Sequence, residues 1–135
     1  MCTTVYLASS TPVPIIRPDA ATHLSVTPLE QTNPALASLS RILSFPHISV
    51  VGAHTGCGCG FQGTNLDHAE DPDDIRTSRL LLSHYLAARL KEGAHLQIYA
   101  CWAGDERRPS RSQRSITSEE IASHSFVERQ LLDLG

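Results

Sequence analysis

His54, Cys57 and Cys59 lie within one short run, His54-Thr55-Gly56-Cys57-Gly58-Cys59-Gly60-Phe61. An imidazole and two thiols at this spacing suit two kinds of chemistry. They can ligate a borderline transition metal, zinc or iron. They can also react as thiolates, either in disulfide exchange or as nucleophiles, with the imidazole beside them. Glycines flank both thiols, so the backbone is free to turn and bring the two sulfurs toward one point.

The metal reading needs more donors than this loop supplies. Cys101 is the natural addition, because it ends a later strand just as His54 follows an earlier one. His54, Cys57, Cys59 and Cys101 would make a Cys3His tetrahedral set, with Asp67, His68 and Glu70 as supplementary donors in the following loop. Cys2 opens the first strand. It is therefore expected at the opposite rim of the sheet and is set aside.

In the thiol reading Cys57 and Cys59 are themselves the reacting groups. A C-x-C pair closes a small, strained disulfide ring that is easily reduced. The C-x-x-C opening a helix, typical of thioredoxin-like sites, is absent from the sequence. A third reading is a non-catalytic interaction domain in which the glycine-rich turn is inert and its cysteines are buried. Gly58 to Gly63 also matches G-x-G-x-x-G, but the match starts well after its strand and no helix opens directly behind it. Asp71, Asp73 and Asp74 at the start of the next helix would repel a phosphate there.

Other residues carry weaker signals. Ser9 and Ser10 end the first strand, where a ligand or nucleophile could sit. Trp102, the one tryptophan, stands beside Cys101. Arg107, Arg108, Arg111 and Arg114 fall in a polar stretch that reads as a solvated loop.

These groups must be positioned by the elements around them. Residues 3–8 (TTVYLA) read as a strand, and 9–21 as an irregular, proline-rich connection. Residues 23–29 alternate like an edge strand. Asn33 caps a helix that has Pro34 in its first turn and ends before Pro46. Residues 47–53 (HISVVGA) form an apolar run suited to a strand buried on both faces. A long helix starts at Asp71-Pro72, with Ile75, Leu82, Leu86 and Leu90 inward, Leu81, Tyr85 and Ala88 widening that face, and Gly93 at its end. Residues 94–102 are a strand, 104–113 a loop, and 117–122 a short capped helix. Residues 125–134 fit helix or strand, with strand preferred because Ser123-His124-Ser125 interrupts the helical pattern.

Helices alternating with strands predict a single α/β domain over residues 1–135. Its sheet is expected to be mixed and mainly parallel, with 4–5 strands flanked by 2–3 helices. Function then gathers outside the carboxyl ends of the strands. The chain has 135 residues, 41% of them hydrophobic, enough for a core. With 11 Lys+Arg against 14 Asp+Glu, the formal net charge is −3, which gives no general attraction to nucleic acid or anionic membranes. No apolar run approaches the length of a membrane span, and the first residues lack the pattern of a signal peptide. The expected setting is the cytoplasm, with reduced cysteines. The expected partner is a metal ion or a small molecule.

Overall fold

The computed structural model describes residues 3–18, 22–62 and 72–134. The apolar runs form strands as expected: β1 (Thr3–Ser9), β2 (Leu24–Pro28), β3 (His47–Ala53) and β4 (Leu96–Trp102). Two further strands follow, β5 (Ser112–Ile116) and β6 (Gln130–Leu134). Together they make a six-stranded sheet in the order β2-β3-β1-β4-β6-β5.

The sheet is mostly antiparallel, which corrects the expectation of a mainly parallel one. β1 is antiparallel to both β3 and β4, β2 to β3, and β6 to β4; the parallel pair is β5 with β6. The physical reason is where β1 inserts. The helical crossover from β3 to β4 does keep those two strands pointing the same way. They are not neighbours, however, because β1 runs between them in the opposite direction.

Helices cover both faces. On one face α2 (Pro72–Lys91) and the short α3 (Ser118–Ile121) pack over Val5, Leu7, Val51, Ile98 and Leu132. On the other, α1 (Ala35–Ile42) covers Tyr6, Ala8, Ile48, Tyr99, Cys101 and Leu131. This double cover explains why β1 and β4 are almost continuously buried.

The predicted caps are present. Asn33 Oδ1 accepts from the Ala35 amide at 2.9 Å and so caps α1. Thr117 and Glu120 form the reciprocal capping box of α3. Gly93 has φ +94° just beyond α2, as a helix-ending glycine should. The proposed Asp71 cap lies outside the described residues.

The inward face of α2 differs from the periodicity reading. Ser78, Leu82, Ser83, Tyr85 and Leu86 are buried, while Leu81 and Ala88 face outward. The two serines are tolerated inside because each is paired: Ser83 Oγ donates to the Ser118 carbonyl at 2.6 Å, and Ser78 meets His54. Residues 104–113 also differ, since their end belongs to β5. That strand is polar and exposed over Ser112–Ser115, as suits a sheet edge that must not recruit another strand.

Candidate functional site

β3 leaves the sheet at Ala53 and the chain turns back at once. The Gly56 amide donates to the Ala53 carbonyl at 2.9 Å, and the Ala53 amide to the Cys57 carbonyl at 3.0 Å. Gly56 has φ +81°, which a side chain would strain. The chain then makes a single 3-10 turn over Gly58–Phe61 that lies on β1, β3 and α2.

Gly58 and Gly60 serve close approach and have no positive φ. This refines the sequence argument, in which they were to let the backbone turn. A Cβ on Gly58 would come within 2.7 Å of the Thr3 carbonyl oxygen and 2.8 Å of Val5 Cγ2. A Cβ on Gly60 would meet the Ala53 Cβ, Thr55 Oγ1 and the His54 ring, all within 2.9 Å. The face of Gly58 toward β1 is therefore filled by protein and has no room for a phosphate.

The far end of the turn is latched. Phe61 is fully buried and meets Phe126 edge to face. Arg79 Nε donates to the Phe61 carbonyl at 2.6 Å. The Gln62 carboxamide accepts from the Phe126 amide at 2.7 Å and donates to the Phe126 carbonyl. The two thiols thus sit on a short turn fixed on both sides.

Cys57 and Cys59 are close together, and both are half-buried. The Cys59 sulfur accepts the Thr3 backbone N–H at 3.1 Å. Cys57 Sγ lies 3.6 Å from Thr55 Oγ1. His54 is oriented by Ser78, whose fully buried hydroxyl lies 3.1 Å from the His54 amide nitrogen and 2.9 Å from Nδ1. The His23 ring stands 5.9 Å from the His54 ring and bonds Asp74 Oδ1 through Nε2 at 2.9 Å. Beside His54 and Thr55 a cavity of about 270 Å³ opens toward Ser25 and Thr22.

Compared with known proteins, the chain matches no family model, no curated protein and no solved structure. Its chemistry has to be read from the site itself.

Cys101 shares the rim with residues 54–59, because β3 and β4 end on the same side of the sheet. Its side chain, however, enters the core under α1, whereas the 58–61 turn packs on the α2 face. The structure therefore brings Cys57 and Cys59 close together, on the turn that follows His54, and leaves Cys101 on the other side of the sheet. Burial, with smaller contributions from Glu106, Glu128 and Asp105, pushes the Cys101 thiol up to about 12. Among the described residues, no group of three or more His, Cys, Asp or Glu side chains is arranged to hold a metal ion. Asp67, His68 and Glu70 lie outside the described residues.

Two further placements change. β1 runs antiparallel to its neighbours, so its amino end, at Thr3, stands at the thiol rim. The ground for assigning Cys2 to the far rim is thus removed; Cys2 itself lies outside the described residues. Ser9 pairs with His47 and Leu96, the first residues of β3 and β4, so Ser9 and Ser10 lie at the rim away from the thiols. The sequence reading missed Ser78, because a serine on a helix face carries no signal until its partner is known. It also left Trp102 undecided. That ring is 46% exposed, and its residue pairs with Thr3, the donor to Cys59.

Proposed function

We propose that this chain is a thiol-dependent redox protein whose reacting groups are Cys57 and Cys59. The observation that carries the reading is the pair itself: two close, half-buried cysteine sulfurs on a turn fixed at both ends, with a backbone N–H aimed at one of them. A thiolate accepts such an N–H more strongly than a thiol does. We accordingly give Cys59 the attacking role.

The reaction is two-electron exchange with a partner disulfide. The Cys59 thiolate attacks one sulfur of the partner, forms a mixed disulfide and releases the other as a thiolate. The Cys57 thiol then loses its proton to solvent or to a nearby base and attacks the Cys59 sulfur. This closes the Cys57–Cys59 bond and releases the second partner thiolate. The partner is reduced by two electrons and the protein oxidised by two. In the reverse direction a partner thiolate attacks Cys59 and releases the Cys57 thiolate; the second partner thiolate then displaces Cys59, whose leaving thiolate the same N–H stabilises. The exposed Trp102 ring offers an apolar surface for an incoming thiol or disulfide.

A second reading rests on the donor types alone: one imidazole and two thiols suit zinc or iron, although among the described residues they are not grouped to hold an ion. One experiment separates the two. The reduced protein is equilibrated with a glutathione redox series and, in parallel, titrated with zinc. The redox reading expects intact-mass loss of about two hydrogens at a poise no more oxidising than about −180 mV. Peptide mapping should place the new bond between Cys57 and Cys59, and Cys57→Ser and Cys59→Ser should each abolish it. Stoichiometric zinc binding, lost in either serine variant and without bond formation in the redox series, would replace the redox reading with the metal one.

A further inference from the structure

The polar stretch after β4 does not simply dangle in solvent. The Asp105 amide donates to the Trp102 carbonyl at 2.9 Å, and the Arg108 amide to the Asp105 carbonyl at 3.0 Å. Gly104 sits in the turn at φ +99°. Farther along, Arg129 Nη1 donates to the Pro109 carbonyl at 3.2 Å, and the Arg111 amide to the Arg129 carbonyl at 2.7 Å. These bonds tie the segment to Arg129, and between it and the end of α1 lies a cavity of about 330 Å³.

Three arginines line this cavity: Arg41 from the last turn of α1, and Arg107 and Arg108 from the segment. Among the described residues, neither Arg41 nor Arg107 has a carboxylate within 4.0 Å, and Arg108 has only Asp105, at 4.0 Å. The nearby acids are otherwise engaged. Glu106 accepts from the Tyr6 hydroxyl, and Asp133 from Gln97 and Gln113. Gathering like charges around one concavity is unfavourable unless an anion offsets them. Ser38 and Ser110 add hydroxyls, while Ile42 and Leu131 supply apolar walls.

We propose that this cavity binds a small phosphorylated organic molecule. Guanidinium forks match phosphate oxygens two at a time. With Asp105 offsetting one charge, two remain, which suits the dianion of a phosphate monoester better than a single carboxylate. The cavity is at the small end of ligand pockets, and its apolar walls suit the organic part of such a molecule. A chain of net charge −3 offers no extended basic surface for a nucleic acid backbone, so the compact anion is the better match.

The test is an NMR titration of the folded chain with phenyl phosphate at constant ionic strength, with benzoate and a short single-stranded oligonucleotide run alongside. Saturable shifts are expected at Ser38, Arg41 and residues 107–110, with benzoate weaker by about tenfold. Arg41→Ala and Arg107→Ala should each weaken phenyl phosphate by about tenfold or more, and the distant Arg76→Ala should leave it unchanged. The proposal is overturned by an absence of saturable shifts up to ~10 mM phenyl phosphate. It is equally overturned by binding indifferent to both substitutions, by benzoate binding as well as phenyl phosphate, or by the oligonucleotide binding more tightly at the same residues.

Discussion

Cysteines of one chain differ in what surrounds the sulfur, and here the contrast is large. Cys57 and Cys59 are half-buried beside polar groups, whereas Cys101 is fully enclosed under α1 among Tyr6, Tyr99 and Leu131. With its thiol pushed up to about 12, Cys101 stays protonated near neutral pH. Alkylation needs both a thiolate and access. A short pulse of iodoacetamide on the folded, reduced chain should therefore mark Cys57 and Cys59 and leave Cys101 unmarked until denaturant is added. Peptide mass mapping reads the result, and Cys101 labelling as fast as Cys59 would contradict the enclosure. That Cys57 and Cys59 lie close together was legible from their spacing alone. That Cys101 belongs elsewhere was not, because two residues at one rim can project from opposite faces, and only the pleat phase of β4 decides which.

The glycines of the thiol turn act at the scale of elements. Gly58 lets the 3-10 turn lie directly on the first residues of β1, with a Cβ position 2.7 Å from a backbone oxygen that cannot move without disturbing the sheet. Gly58→Ala should therefore cost about 1–3 kcal/mol through overpacking. It should also displace Cys59 from the Thr3 amide. Gly56→Ala meets nothing within 4 Å and suffers only the strain of φ +81°, about 1 kcal/mol. Urea denaturation of the two variants should rank them in that order, and the reverse ranking would mean the turn does not press on β1. The same scale explains what the sequence could and could not reveal. Strands β1, β3 and β4 were readable because burial on both faces leaves an apolar run. β5 was hidden because an edge strand is polar by need, and the buried face of α2 because its two serines are matched to partners far along the chain. Strand direction was misread for a different reason. Helices between strands suggest parallel neighbours, but they do not forbid a strand of opposite sense, β1, from lying between the two that a helix connects.

Across the whole molecule, the loops at the end of β4 bring acidic groups to the edge of the α1-side core. Burial raises the Glu128 carboxyl above the ordinary 4.5, and Asp105 adds to the effect. Between 4.5 and the raised value the folded chain keeps a proton that the unfolded chain has released. This contribution to stability is fully present below 4.5 and is lost as pH rises through the folded value. His124 has the opposite sign. Burial, helped by Arg114 and Arg79, lowers its pKa from 6.5, so its contribution is present above that value and lost as pH falls. The two overlap in any pH profile of the parent chain. They separate in a difference, because His124 is the same in the parent and in Glu128→Gln and cancels between them. A glutamine has no proton to lose, so the variant should gain on the parent as pH rises from 4.5 toward neutrality. The parent should close that gap in acid. Thermal melts of both proteins at about pH 4 and about pH 7 measure it: a positive Tm difference at neutral pH that shrinks in acid is expected. A difference that is constant with pH, or that favours the parent at pH 7, would mean that Glu128 is ionised in the folded chain at no cost.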